Sequence, residues 1–149
     1  MFLSTDKKEV HIGHETLRYL QYGQGKKVLI LLHGNVSSSL HFEPILPLLK
    51  DDYTMYVPDL RGFGDSSYHN RFDSIEELAD DVIKMAEKLM LSSFSIIGWS
   101  AGGAIAQVVA AERPDLVEKL ILIAPGSPKG YPVFQKDENK QVLLGEIYS

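Results

Sequence analysis

The sequence contains no cysteine, which excludes disulfide frameworks, cysteine-ligated zinc sites and cysteine nucleophiles for these residues. Long apolar segments are also lacking. The longest clean run covers residues 28–32, whereas a membrane-spanning helix needs roughly 18 apolar residues. Positive charge is scarce, since 15 Lys and Arg against 20 Asp and Glu give a net charge of −5. This balance argues against nucleic-acid binding, which needs a basic face against the phosphates.

The remaining composition is that of one ordinary globular domain. Hydrophobic residues make up 44% and charged residues 23% of the 149 residues, which is the usual balance for such a domain. The N-terminus turns polar at Ser4 and so predicts no signal-peptide core. We therefore expect a cytoplasmic protein that acts without a membrane partner.

Apolar runs that are typical of buried strands alternate along the chain with helical patterns. Strands are predicted at residues 9–12, 15–22, 27–32, 54–57, 94–97 and 119–124. Helices are predicted at residues 39–49, made irregular by two prolines, at 74–90, which opens with a Ser74–Glu77 capping box, and at 101–112. The alternation predicts an α/β fold with a mostly parallel sheet flanked by helices. Ligands of such sheets bind at the carboxyl ends of the strands.

The strongest motif follows the strand at 94–97. Residues 98–102 read Gly-Trp-Ser-Ala-Gly and open directly into a helix, which is the G-x-S-x-G pattern of a nucleophile elbow. The turn is so tight that we expect a strained backbone at Ser100, with Gly98 and Gly102 allowing the neighbouring chain to approach. The N–H of Ala101 then points at the reaction centre, and we expect the N–H of Asn35 to supply a second oxyanion donor.

Three segments together resemble the N-terminal half of an α/β-hydrolase: residues 33–35 (His-Gly-Asn), 59–66 and 98–103. The resemblance covers nearly the whole chain. It implies that Ser100 is the nucleophile and that Ala101 and Asn35 form the oxyanion hole. It also implies that residues 1–125 are the N-terminal part of the hydrolase core and that residues 126–149 begin a lid over the substrate pocket.

The histidine expected of such an enzyme is missing. The family orders its triad as Ser, then Asp or Glu, then His, yet all of the histidines precede Ser100: His11, His14, His33, His41 and His69. Of these, His33 lies near the same strand ends and is either a base for Ser100 or, as the resemblance favours, a structural part of the oxyanion loop. Asp137 and Glu138 fall in the lid-like stretch and are not expected to be the triad acid.

Other signals are weaker. Gly23 and Gly25 lack the third glycine of a dinucleotide fingerprint and are typical of a hairpin turn. The loop at 61–64 is interpreted as structural rather than as a phosphate cradle, and the histidines lack metal-ligand spacing. No cofactor and no metal are therefore expected. Trp99 either floors the pocket or packs behind the elbow, and packing is favoured.

Two functional hypotheses remain. The first is a serine hydrolase that cleaves a small carboxylic ester through an acyl-enzyme, although thioester, lactone and carbon–carbon hydrolases share these motifs. A serine at the elbow, in place of aspartate, argues against a dehalogenase or an epoxide hydrolase. The second is a non-catalytic, half-length protein that binds a ligand or a partner.

The chain is expected to be a truncated portion of one roughly twice as long. A serine without a base is a poor nucleophile, so these 149 residues alone should hydrolyse esters very weakly or not at all. The strand at 119–124 is predicted to leave an open apolar edge, which favours self-association.

Overall fold

The apolar runs form a six-stranded sheet in the order β1-β2-β4-β3-β5-β6. The computed structural model describes residues 6–129, 134–136 and 142–147. The strands of this sheet are β1 Lys8–Ile12, β2 Glu15–Tyr22, β3 Lys27–Leu32, β4 Tyr53–Pro58, β5 Phe94–Trp99 and β6 Val117–Ile123. β1 and β2 pair antiparallel, β2 pairs antiparallel with β4, and the other pairs are parallel. The predicted α/β fold with a mostly parallel sheet is confirmed.

The helices follow the predicted pattern with one difference. They are α1 Leu46–Leu49, α2 Ile75–Lys88 and α3 Ala101–Glu112. The single irregular helix predicted at 39–49 is instead a short 3-10 helix, Ser39–Phe42, followed by α1. Pro44 lies in the break between them, and a proline has no N–H with which to continue a helix. At the start of α2 the capping box is present, since Ser74 Oγ accepts from the Glu77 N–H at 3.2 Å and Glu77 Oε2 accepts from the Ser74 N–H at 3.1 Å.

Two apolar clusters cover the two faces of the sheet. α2 and α3 contribute Val82 and Ile105 to one cluster, and Phe42 and Leu46 belong to the other. β3 supplies both clusters, because alternate residues of a strand point to opposite faces. Its Ile30 and Leu32 belong to the first cluster, and its Leu29 and Leu31 belong to the second. Burial on both faces explains why this strand is continuously apolar in sequence.

β6 forms one edge of the described sheet, beside β5. Its exposed fractions are 38% for Leu120, 44% for Ile121, 37% for Leu122 and 46% for Ile123. The apolar edge expected from the sequence is therefore present in the described residues. Self-association through it stays a prediction.

A separate two-stranded antiparallel sheet follows β6 along the chain. It pairs β7, Phe134–Lys136, with β8, Val142–Ile147, and the sequence analysis did not predict these strands. The assignment of residues 126–149 to a lid stays a prediction, and Asp137 and Glu138 lie outside the described residues. Among the helices of the described ranges, none has the length and apolar character to cross a membrane.

Candidate active site

Ser100 occupies a strained turn between β5 and α3. Its φ of 54° and ψ of −118° lie in a region that residues with a side chain rarely adopt, as expected for the elbow. Backbone hydrogen bonds hold the turn on both sides. The Ser100 N–H donates to the Ile123 carbonyl at 3.1 Å, and the Ser100 carbonyl accepts from the N–H groups of Gly126 at 2.7 Å and Gly103 at 2.9 Å. The strain is thus supported by the end of β6 and by the first turn of α3.

The elbow closes because its glycines have no Cβ. A Cβ on Gly98 would lie 2.4 Å from the Gly102 carbonyl oxygen and 2.6 Å from the Gly103 Cα. A Cβ on Gly102 would lie 2.3 Å from the Leu32 carbonyl oxygen. All of these neighbours are backbone atoms, which cannot turn aside as a flexible side chain can. The close approach predicted at Gly98 and Gly102 is therefore present.

The loop after β3 lies against the elbow. A Cβ built on Gly34 would lie 3.2 Å from the Ser100 Cβ and 2.9 Å from the Trp99 ring. Asn35, the next residue, lines the same cavity as Ala101. Within the described part of the chain, no backbone oxygen accepts from the N–H of Asn35 or of Ala101. Asn35 and Ala101 thus line one cavity next to Ser100, and their role as oxyanion donors stays a prediction.

His33 is fully buried, and both of its ring nitrogens are engaged. Nε2 accepts from the Leu60 N–H at 3.0 Å, so Nδ1 carries the proton and donates to the Gly34 carbonyl at 2.7 Å. Burial lowers the pKa of His33, because the charged form is poorly solvated there. The structural interpretation of His33 is the one that these contacts support, and a base role toward Ser100 is not.

Trp99 packs on the side of the elbow that faces the second apolar cluster. Its ring stacks on that of His41, with a centroid distance of 4.0 Å and an interplanar angle of 4°. This arrangement agrees with the favoured packing role for Trp99. The sequence gives no spacing signal for His41, which reaches Trp99 from the 3-10 helix.

The loop after β4 is organised by a buried carboxylate. Asp59 is fully buried and accepts from Lys7 Nζ at 2.6 Å, from the Ser39 N–H at 2.7 Å and from the Asp65 N–H at 2.9 Å. Burial alone would raise the pKa of Asp59, but these donors hold it below its usual value. A Cβ on Gly64 would lie 2.3 Å from the Asp59 carboxyl carbon. A carboxylate in this position repels phosphate, so the loop is structural, as interpreted from the sequence.

A cavity of about 240 Å³ opens beside the two predicted oxyanion donors. Its lining residues come from the loops after β3 and β4, from the segment that leads into α2, and from α2 and α3. They are Gly34, Asn35, Leu60, Phe63, Phe72, Ile75, Leu78, Ala101 and Ile105. The sequence analysis assigned Ile75 and Leu78 to the buried face of a helix and did not identify them as pocket residues.

A proton acceptor for Ser100 is not found among the described residues. The Ser100 side chain makes no capping hydrogen bond, and no hydrogen bond joins its Oγ to a histidine or a carboxylate in the ranges described. No group of three His, Cys, Asp or Glu side chains in these ranges is arranged to hold a metal ion. Within the described ranges, the predicted nucleophile and the predicted oxyanion donors therefore lie together without an acid–base partner, and their roles stay predictions.

Comparison with known proteins defines the class. The family model described as the alpha/beta hydrolase fold matches residues 27–143, and the chain belongs to this family. It is similar to the human serine hydrolase BPHL, with 32% identity over 95% of this chain and 48% of that protein. It is also similar to a soluble epoxide hydrolase of Corynebacterium sp., with 33% identity over 72% of this chain and 37% of that protein.

A solved structure supports the same fold. The haloalkane dehalogenase DbeA from Bradyrhizobium elkani has a TM-score of 0.75 and 28% identity, covering 81% of this chain and 42% of that chain. The present chain spans less than half of the length of the curated relatives and of this structure. Several of the similar proteins are hydrolases of different kinds.

Proposed function

We propose that this chain carries the nucleophile and the oxyanion hole of a serine hydrolase that cleaves a small carboxylic ester. The observation that carries the proposal is the strained Ser100 turn beside a cavity lined by both Asn35 and Ala101. A strained nucleophile next to two available N–H donors is what acyl transfer requires. Family membership supports hydrolysis in general, and this geometry supports attack on an acyl carbon, of which a small carboxylic ester is the proposed case.

The reaction follows from these positions. Ser100 Oγ attacks the ester carbonyl carbon and loses its proton to a histidine, while the carbonyl oxygen becomes an oxyanion that accepts from the Asn35 and Ala101 N–H groups. Collapse of the tetrahedral intermediate breaks the ester bond, and the histidine returns the proton to the leaving alcohol. Water then attacks the acyl-enzyme and releases the acid. The histidine and its acid are proposed to lie outside residues 1–149.

Serine distinguishes this chemistry from that of two similar proteins. Carboxylate nucleophiles form alkyl-enzyme esters and suit epoxides and haloalkanes. A serine alkoxide attacks an acyl carbon instead. The residue at position 100 therefore favours an acyl substrate, although epoxide hydrolases and dehalogenases share the fold.

A covalent probe tests the nucleophile. The native protein, at the length its source produces, should be labelled by a fluorophosphonate at Ser100 and should hydrolyse p-nitrophenyl butanoate. Ser100→Ala should abolish labelling and lower kcat by about 10⁴-fold or more. Ser92→Ala, at an exposed position in the loop before β5, is the matched control and should behave like the native protein. Equal labelling of native protein and Ser100→Ala would overturn the proposal.

A non-catalytic binding protein is the second candidate, and the missing acid–base partner of Ser100 is what favours it. The intact mass of the native protein distinguishes the two. A mass that corresponds to 149 residues, together with no labelling, would support a binding protein. A larger mass with labelling at Ser100 would support the hydrolase. We also propose a cytoplasmic location, and recovery of the native protein in a membrane or secreted fraction would contradict it.

A further inference from the structure

The loop after β3 passes through an exposed stretch beside the elbow. Gly34 and Ser39 are buried, whereas residues 35–38 between them are partly or fully exposed. Within the described part of the chain, the hydrogen bonds of residues 35–38 stay inside the loop and the 3-10 helix that follows it. This stretch therefore depends on its two flanks for a fixed position.

Val36, in the middle of the stretch, has a strained backbone. Its φ of 53° lies in the left-handed region, which a β-branched residue rarely adopts. Such a conformation persists only where the surrounding structure holds it. Because the Val36 residue is itself 89% exposed, the flanking residues must supply this restraint.

Both flanks of the stretch contact one ring, the indole of Trp99. On the first flank, a Cβ on Gly34 would lie 2.9 Å from the ring atoms Cε3 and Cζ3, so the ring packs directly against the Gly34 backbone. On the second flank, the His41 ring stacks on the indole with a centroid distance of 4.0 Å. Trp99 directly precedes Ser100 in the sequence, so the same ring joins the loop to the elbow.

The 3-10 helix fixes the position of His41. Its first residue, Ser39, donates its N–H to the buried Asp59 at 2.7 Å, and its last residue, Phe42, is buried in the second apolar cluster. The His41 ring also contacts the Phe42 ring edge-on, at a centroid distance of 5.3 Å. Among the hydrogen bonds of the described residues, none involves the ring nitrogens of His41. In these ranges, the ring therefore contacts its neighbours as an aromatic surface.

We infer that His41 is a positioning residue: its ring holds Trp99, and Trp99 holds the N–H of Asn35 in the oxyanion position. The inference rests on the proposed hydrolase function, which it deepens by adding a residue from outside the elbow. It assigns the His41 ring to packing and not to proton transfer from Ser100. A displaced oxyanion donor weakens stabilisation of the transition state more than it weakens substrate binding.

Replacement of the ring tests the inference. In the native protein, His41→Ala should lower kcat for p-nitrophenyl butanoate at least about tenfold, since a misplacement of about 1 Å can cost about 10²-fold. KM should stay nearly unchanged. His41→Phe keeps an aromatic ring and should restore kcat to near the native value, whereas His41→Gln, polar and not aromatic, should behave like His41→Ala. Leu48→Ala, at a position 80% exposed on α1, is the control and should leave both constants unchanged.

Three kinetic results would overturn the inference. If His41→Phe is as slow as His41→Ala, the imidazole acts through its nitrogens and not through its aromatic surface. If His41→Ala changes KM alone, His41 contacts the substrate. If His41→Ala has the native kcat while the fluorophosphonate still labels Ser100, His41 does not position the site, and the hydrolase proposal stands.

Motion of the Trp99 ring gives a test that needs no activity. Trp99 is the one tryptophan of these 149 residues, and subtraction of the signal of Trp99→Phe protein removes any other contribution. Time-resolved fluorescence anisotropy should show a larger nanosecond amplitude in His41→Ala than in native protein or His41→Phe. An unchanged amplitude would overturn the inference whatever the kinetics. The expected change without labelling at Ser100 would overturn the proposed hydrolase and retain the ring contact that holds the loop.

Discussion

The ends of β4 and β5, the strands on either side of β3, are built by opposite means. The elbow, residues 98–102, is held by close backbone contacts that only glycine permits at Gly98 and Gly102. The Asp59 loop, residues 59–67, is held by a buried carboxylate that accepts hydrogen bonds from three donors. The elbow therefore depends on the absence of side-chain atoms, and the Asp59 loop depends on a charge.

A second carboxylate extends the contrast. Glu15 is buried and accepts from the Ser67 hydroxyl, from the His69 N–H at 3.1 Å and from the Asn70 N–H at 2.6 Å. Burial opposes ionisation of Glu15, but these donors keep its pKa below the usual value. Two charges thus fix the loop that carries Phe63, a wall of the cavity. The nucleophile itself is positioned without any titratable group, so its geometry should be insensitive to pH.

The largest effect is expected at the elbow. Gly98→Ala forces a Cβ to within 2.4 Å of the Gly102 carbonyl oxygen, and the surrounding backbone has no room to move. We expect the free energy of unfolding to fall by more than about 4 kcal/mol, as measured by urea titration. Gly13→Ala is the control, since its Cβ meets nothing within 4 Å although φ is +78°. It should cost only about 1 kcal/mol, and equal costs at the two positions would contradict the steric explanation.

Breaking the Asp59 loop should cost less than breaking the elbow. Asp59→Asn removes the charge that faces Lys7 and places an amide among three donors. Lys7 then keeps a buried charge without its partner, which should lower the free energy of unfolding by about 3 kcal/mol. Asp65→Asn removes a carboxylate that also contacts Lys7, but this side chain is 66% exposed, and the cost should stay below about 1 kcal/mol. Equal unfolding free energies for the two variants would show that burial of Asp59 does not determine its contribution.

Lowering the pH should decrease the stability that the neutral, buried His33 contributes. Its pKa is lowered in the folded state from an ordinary value of 6.5, so the unfolded chain binds a proton first as pH falls. This contribution to stability is complete above pH 6.5 and is lost as pH falls below 6.5, by up to about 1.4 kcal/mol per pH unit. Urea titrations between pH 7 and 5 measure it. His14→Asn, in the exposed β1–β2 turn, should retain the slope, whereas a flat profile in the native protein would contradict a neutral, buried His33.

Local patterns in the sequence were sufficient for the elbow and for the strands and helices up to β6, apart from the helix at 39–49, and they missed β7 and β8. Residue type and spacing determine a strand, a capping box or a glycine turn within a few positions, and the Ser74–Glu77 box and the strained Ser100 are both present as expected. The one helical error is at 39–49, where the prolines were expected to make a single helix irregular, whereas the structure divides it at Pro44 into two short helices.

Contacts between distant residues could not be predicted in this way. Lys7 and Asp59 are 52 residues apart in the sequence. His41 stacks on Trp99, which belongs to a different element. Neither pair produces a periodic pattern in the sequence. The cavity was missed for a different reason. Ile75 and Leu78 show the spacing of a buried helix face, and this spacing is the same whether the face meets core or borders an empty space. Only the arrangement of the loops after β3 and β4 separates the two cases.

The smallest effect is expected at the capping box of α2. It compares the exposed hydrogen bonds of this box with the buried hydrogen bonds of Asp59. The capping box of α2 satisfies backbone N–H groups, as Asp59 does, but its contacts are exposed. Water can replace them in part, so Ser74→Ala should lower the free energy of unfolding by only about 1 kcal/mol. Ser92→Ala, an exposed serine outside a helix, should cost almost nothing. Ser74→Ala could instead lower the free energy of unfolding as much as Asp59→Asn. The contribution of each set would then depend on the number of its hydrogen bonds and not on the burial of the acceptor.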